Sequence, residues 1–218
     1  MKDINFESLN DCKYYHDHKF LTLKMRGRIL EKLLKVSRKV KVKKRSQPEI
    51  MNKNDILRRI RYVFDFSDLE MISIFAQADH PVKKSQIIDW LKKEDDPAYQ
   101  KCNDTQMAIF LNGLINKKRG KRDGPQPDPE KSLTNNAIFM KLKIALDMKA
   151  DDVIKILALA DVKISKHELS AFFRRPDNRH YRECKNQILR NFLKGLQLKY
   201  RPGSNVVPED PWNQHSPS

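Results

Sequence analysis

The chain has 218 residues, of which 39% are hydrophobic and 8% aromatic, so a folded core is expected and wholesale disorder is excluded. No stretch of about 18 consecutive apolar residues occurs, which excludes a membrane-spanning helix, and three widely separated cysteines exclude a disulfide framework. The net charge of +16 favours a polyanionic partner, but half of it lies in residues 1–50, where 14 Lys and Arg oppose 6 Asp and Glu. We therefore expect a cytoplasmic protein with a moderately basic body.

Residues 1–50 form a basic N-terminal extension that has no counterpart in the rest of the chain. Residues 21–42 carry leucines and valines among lysines and arginines, a pattern typical of an amphipathic helix that binds acidic membranes or nucleic acids. Two other interpretations stay open. The extension is a disordered arm, or it results from a mis-assigned start codon, because Met51 stands where the patterned body begins.

The body of the chain contains an internal repeat with a shift of 82 residues. The stretch YQKCNDTQMAIFLNGL at 99–114 returns as YRECKNQILRNFLKGL at 181–196, and residues 54–115 align with 136–197 without a gap. Because the side-chain types match in register, we expect the two copies to pack alike. Identical pairs include Asn54/Asn136, Asp65/Asp147, Asp79/Asp161, Cys102/Cys184 and Gly113/Gly195.

Each copy is predicted to form four helices, because apolar residues recur at helical spacing and no strand-like alternation competes. In the first copy, Ser67 and Glu70 have the spacing of a capping box, and Leu69 is expected on the buried face of the second helix. Pro81 follows the end of that helix, and Asp104 is expected to cap the fourth. The helices predicted in the second copy are 138–146, 151–160, 165–175 and 186–198.

The predicted fold class is all-α, with two homologous, helix-turn-helix-like four-helix repeats in pseudo-symmetric tandem. Trp90/Phe172 and Phe110/Phe192 are expected at equivalent core positions of the two repeats. The predicted segments after the extension are repeat 1 at 51–118, a Pro- and Gly-rich linker at 119–135, repeat 2 at 136–199, and a disordered tail at 200–218.

The body also resembles a known family of bacterial proteins, the YehS-like family. The resemblance rests on NDILRRIRYVF at 54–64, WLKKEDDPAYQKC at 90–102, FLNGLINKKRGK at 110–121, RPDNRHYREC at 175–184 and FLKGL at 192–196. It covers roughly residues 51–201. It implies a soluble, cytoplasmic bacterial protein with the same duplicated domain, and it implies no particular activity.

The residues that most often carry chemistry are better explained by packing. Cys102 and Cys184 precede the fourth helix of each repeat, where a thiolate is stabilised, but a small buried side chain explains their recurrence better. Gly113 and Gly195 lie within predicted helices, which indicates close helix approach. His180 and Cys184 are four residues apart, but the first copy has no matching histidine. We expect no metal site, no cofactor and no enzyme activity.

The second and third helices of each repeat, with the turn between them, resemble a helix-turn-helix, in which side chains of the second helix contact DNA bases and phosphates. Basic clusters at 58–61, 117–122 and 174–175 add to the case for DNA or RNA. The candidate nucleic-acid-binding residues are Lys83, Lys84, Gln86, Lys92 and Lys93 in the first repeat and Lys166, His167, Ser170, Arg174 and Arg175 in the second.

Several features of these helix pairs favour other interpretations. Pro81 and Lys163 stand where the turn of the motif usually carries glycine, and Asp89 and Glu168 lie on the expected reading faces. The alternative function is a protein-protein interaction adaptor without a nucleic-acid role. A plain helical bundle with a solvated charged surface explains the same pattern, so the target and the oligomeric state stay open.

Overall fold

A computed structural model describes residues 51–203, and the predictions for residues 1–50 and for most of the tail lie outside the described residues. Within 51–203 the chain forms eight α-helices and no strand, which confirms the all-α prediction. The first repeat supplies α1 (Lys53–Phe64), α2 (Asp68–Ala76), α3 (Lys84–Leu91) and α4 (Asp104–Arg119). The second repeat supplies α5 (Asn135–Ala145), α6 (Ala150–Leu159), α7 (Lys166–Phe172) and α8 (Asn186–Tyr200).

Polar side chains cap the helices of the first repeat at their N-termini. The predicted capping box of α2 is confirmed, because the backbone N–H of Glu70 donates to Ser67 Oγ and that of Ser67 donates to the Glu70 carboxylate. The prediction for α4 was one residue off. Asn103, rather than Asp104, accepts the hydrogen bond from the third backbone N–H of that helix.

Four aspartates that follow the ends of helices have the left-handed backbone conformation, which usually favours glycine. Asp65, Asp79, Asp147 and Asp161 have φ values of 55°, 58°, 52° and 59°. Aspartate tolerates this conformation better than most residues, since its short polar side chain can hydrogen-bond locally. The same sharp change of chain direction therefore follows the first and second helices of both repeats.

The helices α1 and α4 run parallel within the first repeat. Lys53 Nζ and Asp104 Oδ1 are 3.1 Å apart at their N-terminal ends, and Lys118 Nζ lies 5.6 Å from the centre of the Phe64 ring at their C-terminal ends. In the second repeat, Asn135 Nδ2 donates to Asn186 Oδ1 over 2.8 Å at the N-terminal ends of α5 and α8.

The two repeats join through α4–α5 on one side and α1–α8 on the other. Arg119, at the end of α4, pairs with Asp147 just after α5, and the equivalent Arg201 pairs with Asp65 just after α1, with Nη2 and Oδ1 2.6 Å apart. These reciprocal ion pairs confirm the pseudo-symmetric tandem. The C-terminal ends of the four central helices, α1, α4, α5 and α8, therefore meet at one end of the bundle.

The recurrent glycines allow α2 to lie directly against α4, and α6 against α8. A Cβ atom on Gly113 would lie 1.8 Å from the carbonyl oxygen of Ile74, and one on Gly195 would lie 2.0 Å from that of Ile156. Any side chain would overlap with backbone atoms that cannot rotate away. The close helix approach predicted from the sequence is therefore confirmed in both repeats.

The core contains the aromatic residues expected there, with one error in α2. Trp90, Phe172, Phe110 and Phe192 are all buried, as predicted. Leu69, in contrast, is 74% exposed. It precedes the buried Met71 by two positions, which is about 200° around the helix and so on the opposite face.

Candidate nucleic-acid interface

The two candidate helix pairs, α2–α3 and α6–α7, have longer turns than a standard helix-turn-helix. The turns span residues 77–83 and 160–165, whereas the motif usually has a turn of about three or four residues. The residues with positive φ are Asp79 and Asp161, two positions before the sites where glycine was expected. The pairs are therefore helix-turn-helix-like in order and not in turn geometry.

The predicted recognition helix of the second repeat is shorter than expected. It was predicted over 165–175, but α7 spans Lys166–Phe172, and Arg174 and Arg175 lie beyond its end. Two causes end it there. Pro176 disfavours helical geometry at Arg175, and Asn136 Nδ2 donates to the Phe172 carbonyl oxygen over 2.8 Å.

The candidate residues of the first repeat are largely engaged within the protein. Lys84 Nζ lies 3.8 Å from Asp68 Oδ2, and Lys92 Nζ lies 3.1 Å from Asp89 Oδ1. The Gln86 side chain accepts a hydrogen bond from the backbone N–H of Lys83 and so caps α3. The five candidates of this repeat are placed on or next to α3: Lys83, Lys84, Gln86, Lys92 and Lys93.

The candidate residues of the second repeat are divided between α7 and the loop that follows. Lys166 Nζ pairs with Asp151 Oδ1 at 2.7 Å, while His167 and Ser170 are exposed and the Ser170 hydroxyl donates to the His167 carbonyl oxygen. Arg174 is half-buried and Arg175 is exposed. The five candidates of this repeat are Lys166, His167, Ser170, Arg174 and Arg175.

The segment RRPDNRHYRECK at 174–185, here called the arginine loop, contains five basic and two acidic residues, a net charge of +3. Its counterpart in the first repeat, KKEDDPAYQKCN at 92–103, has three of each and a net charge of zero. Arg179 and Arg182 are both exposed and were not among the predicted site residues. They could have been found by comparing the copies, because Pro97 and Gln100 occupy the equivalent positions.

A buried asparagine holds the backbone of the counterpart loop in the first repeat. Asn54 Nδ2 donates to the carbonyl oxygens of Trp90 and Gln100, both over 2.8 Å. Its Oδ1 accepts from the backbone N–H of Cys102 and from the Tyr99 hydroxyl, both over 3.0 Å. One fully buried side chain therefore fixes the start and the end of the loop.

Asn136 plays the same part for the arginine loop. Its Nδ2 donates to the carbonyl oxygens of Phe172 and Arg182, and its Oδ1 accepts from the backbone N–H of Cys184, each over 2.8 Å. The Tyr181 hydroxyl does not repeat the fourth hydrogen bond seen at Tyr99, and no other described residue bonds it. Asn136 thus holds both ends of the arginine loop without a hydrogen bond to the Tyr181 hydroxyl.

The turn inside the arginine loop is also fixed by its own backbone. The Asn178 N–H donates to the Arg175 carbonyl oxygen over 3.0 Å, and Asn178 Oδ1 accepts from the His180 N–H over 2.9 Å. Asp96 makes the corresponding side-chain contact in the first repeat, with the N–H of Ala98. Both loops therefore carry their different side chains on the same backbone path.

Two of the loop arginines make side-chain contacts at the surface. Arg182 Nη1 lies 3.5 Å from Glu168 Oε1, and Arg179 Nε donates to His180 Nε2 over 2.9 Å. Hydrogen bonds from Ser165, first from its backbone N–H and then from its hydroxyl, hold the pKa of Glu168 below its usual range, and Arg182 adds to this. Glu168 is therefore a charged carboxylate at neutral pH, at the N-terminal end of the exposed side of α7.

The basic clusters at 58–61 and 117–122 contribute to the structure. Arg58 pairs with Asp55, and Arg61 Nη2 lies 2.7 Å from Asp68 Oδ1. In the second cluster, Lys121 pairs with Asp79, 2.5 Å apart, and two lysines lie over aromatic rings. Cations at the end of α4 also interact favourably with the negative end of the helix dipole. These clusters therefore support the nucleic-acid interpretation less than their composition indicates.

The two cysteines have the environment of packing residues, as predicted. Cys102 and Cys184 are buried, and burial raises the pKa of each thiol to about 12. Both thiols are therefore protonated at neutral pH, which disfavours nucleophilic chemistry. His180 is exposed while Cys184 is buried, so the two side chains do not face a common site. Among residues 51–203, no three potential metal ligands lie close enough together to hold an ion.

No helix in the described part of the chain is long and apolar enough to cross a membrane.

Comparison with known proteins identifies the family. A family described as "Protein of unknown function (DUF1456)" matches twice, over residues 53–120 and 135–202. The chain is 41% identical over 150 residues to "Uncharacterized protein YehS" of Escherichia coli (strain K12), an alignment that covers 68% of this chain and 96% of the relative. No solved structure matches significantly. The chain therefore belongs to the YehS-like family and carries the DUF1456 domain twice.

Proposed function

We propose that the protein is a non-enzymatic nucleic-acid-binding protein of the bacterial cytoplasm that contacts phosphates mainly through the arginine loop. The observation that carries this proposal is the contrast between the two loops. Arg175, Arg179 and Arg182 are exposed on a fixed backbone in the second repeat, whereas the equivalent loop of the first repeat is electrically balanced.

Arginine chemistry supports phosphate as the ligand. A guanidinium group is planar, always charged, and offers donors in a fork that matches two phosphate oxygens. Three exposed guanidinium groups within eight residues present several such forks along a short path. Because Asn136 and Asn178 already hold the loop backbone, little ordering of the chain is needed when a ligand binds.

The exposed face of α7 extends this surface, and the first repeat contributes less. Lys166, His167 and Ser170 remain candidates for further contacts, because all three are exposed. Lys84 and Lys92 have carboxylate partners in the first repeat, as Lys166 and Arg182 have in the second, so ion pairing does not distinguish the repeats. The difference lies in the net charge of the loops, which is zero in the first repeat and +3 in the second. The proposed tandem is therefore asymmetric, with the second repeat providing most of the affinity. We propose no cofactor for this function.

The direct test is fluorescence anisotropy of the full chain with labelled RNA and DNA at 50 and 200 mM salt. A variant with Arg175→Gln, Arg179→Gln and Arg182→Gln removes three charges from the arginine loop. A matched control with Lys83→Gln, Lys93→Gln and Lys101→Gln removes three charges from the first repeat and leaves the N-terminal extension unchanged.

We expect the arginine variant to bind at least about tenfold more weakly at 50 mM salt, and the control to change affinity less than about threefold. Each lost phosphate contact should also reduce the slope of log K against log salt by about 0.7 to 0.9. Equal losses in the two variants would show that only the overall charge matters, and would contradict the proposal.

The adaptor function is supported by a different observation. Leu69 is 74% exposed on α2, whereas the second repeat has Asp151 at that position, paired with Lys166. Single exposed leucines are normal on protein surfaces, so this one only marks a position where contact with a partner can be tested. Substituting Leu69→Asp and comparing proteins cross-linked in bacterial cells to the wild-type and the variant chain tests this alternative. Recovery of the same partners at the same yield would exclude Leu69 as their contact.

A further inference from the structure

We propose that the arginine loop selects unpaired nucleotides over duplex, with Tyr181 and His180 contacting a base while Arg175, Arg179 and Arg182 contact the backbone. This inference rests on the proposed function and adds the class of nucleic acid. Two features of the second repeat support it. The first is that no described residue hydrogen-bonds the Tyr181 hydroxyl, and the second is the shape of α7.

The tyrosine of the second loop differs from its twin in one contact. Tyr99 donates its hydroxyl to Asn54 Oδ1 over 3.0 Å and so serves the fold. The hydroxyl of the half-buried Tyr181 has no hydrogen-bond partner within residues 51–203, and Asn136 is satisfied without it. The hydroxyl is available to a ligand, whereas that of Tyr99 is not.

The chain neighbours of Tyr181 have side chains suited to nucleotides. His180 is exposed and accepts a hydrogen bond at Nε2 from Arg179 Nε, so its ring lies beside a guanidinium group. Arg182 follows Tyr181 directly. The chain order Arg179-His180-Tyr181-Arg182 puts two rings that can stack on bases next to guanidinium groups that can bind phosphates. Aromatic rings combined with cations bind unstacked bases in single-stranded nucleic acids.

The shape of α7 disfavours reading of a duplex. The helix has seven residues, which is about 10 Å, and it is followed by the loop rather than by a further helical turn. The charged carboxylate of Glu168 lies on its exposed side, where it would approach the phosphates that border a groove. The first repeat has Gln86 at this position, where it caps α3.

The test compares three labelled probes of one sequence, each about 15 nucleotides long: single-stranded RNA, single-stranded DNA and the DNA duplex. Binding to the full chain is measured by anisotropy at 50 and 200 mM salt. The variants are His180→Ala, which installs the side chain found in the first repeat, Tyr181→Ala, and the triple arginine variant. Circular dichroism melting confirms that each variant is folded.

We expect at least one single strand to bind about fivefold or more tightly than the duplex. His180→Ala and Tyr181→Ala should each weaken single-strand binding about fivefold or more, because each removes a stacking ring, and should change duplex binding less than about twofold. The ratio between RNA and DNA identifies which single strand is the better ligand.

Three results would overturn the inference, and they are distinguishable. Duplex binding as tight as single-strand binding, still weakened by the triple arginine variant, leaves the proposed function intact and refutes selection of unpaired nucleotides. If the triple arginine variant binds every probe as tightly as the wild-type chain does, both the inference and the proposed function are refuted. Both are also refuted if the wild-type chain binds no probe at 50 mM salt.

Discussion

Residues 92–103 and 174–185 occupy the same place in the two repeats, between the third helix and the fourth. Each loop is held by a buried asparagine and turns at a residue whose side-chain oxygen accepts a backbone N–H. Their exposed side chains differ, with a net charge of zero in the first and +3 in the second. The comparison shows that buried polar groups maintain the loop backbone while the surface can diverge in charge.

The largest effect expected tests the part that the repeats share. Gly113→Ala and Gly195→Ala should each destabilise the fold by about 3 kcal/mol, because the new Cβ would overlap with a carbonyl oxygen of the facing helix and the backbone must move. Chemical denaturation measures the effect. The control is Gly124→Ala in the linker, which has positive φ but open space around it and should cost about 1 kcal/mol. Similar losses at all three sites would contradict the packing role of the helical glycines.

The second prediction concerns the asparagines that hold the loops. Asn54→Ala should cost about 3 kcal/mol and Asn136→Ala about 2 kcal/mol, since each leaves buried backbone groups without partners and Asn54 loses one bond more. The difference is assigned to Tyr99. Tyr99→Phe should therefore lower the free energy of unfolding by about 1 kcal/mol, and Tyr181→Phe should leave that free energy unchanged. A loss in Tyr181→Phe equal to that in Tyr99→Phe would show that the two loops are fixed alike.

The third prediction exchanges the charges that the repeats do not share. Four substitutions in the first repeat, Glu94→Pro, Asp96→Asn, Pro97→Arg and Gln100→Arg, install residues of the arginine loop on the same backbone path. In a protein whose arginine loop carries the triple Gln substitution, they should restore nucleic-acid affinity by about tenfold, or about 1.4 kcal/mol. Anisotropy at 50 mM salt measures this. An unchanged affinity would mean that position in the second repeat matters beyond charge.

The smallest effect concerns the two capping boxes with serine at the N-cap, one at α2 in the first repeat and one at α7 in the second, where the other repeat has lysine at the equivalent position. Ser67→Ala and Ser165→Ala should each cost about 1 kcal/mol, because each removes an N-cap hydrogen bond. Thermal unfolding at pH 7 measures both, and a variant with no loss of stability would contradict the expected contribution of the N-cap at that site.

Acid provides a further check on these boxes. Hydrogen bonds from Ser67 and Ser165 hold the pKa of Glu70 and of Glu168 below the usual range. A lowered pKa in the folded state means that the stabilisation is complete above about pH 4.3 and is lost as the pH falls through the folded-state value. The backbone N–H, which is the larger cause of the lowered pKa, remains in Ser67→Ala and Ser165→Ala, and only the hydroxyl is lost. The difference in the free energy of unfolding between wild-type and each variant should therefore narrow at pH 3 only by the part that the hydroxyl contributes.

The candidate site was only partly predictable from the sequence. Arg174 and Arg175 were found because they continue a helical pattern, although the helix ends before them. Arg179 and Arg182 were missed, because helical spacing is no guide to exposure in a loop. Leu69 was placed wrongly for a similar reason, since one turn of an apolar-rich helix offers two possible buried faces and only the packing partner decides between them.

The sequence by itself determined the duplication, the all-α class, the buried aromatic pairs and the need for glycine at 113 and 195. These features follow from helix propensity and side-chain volume, which can be read from the residues of each copy. Only the tertiary structure decided that the C-terminal ends of α1, α4, α5 and α8 lie together, and that Asn54 and Asn136 hold the loops. These features depend on contacts between residues up to 136 positions apart, which no local pattern encodes.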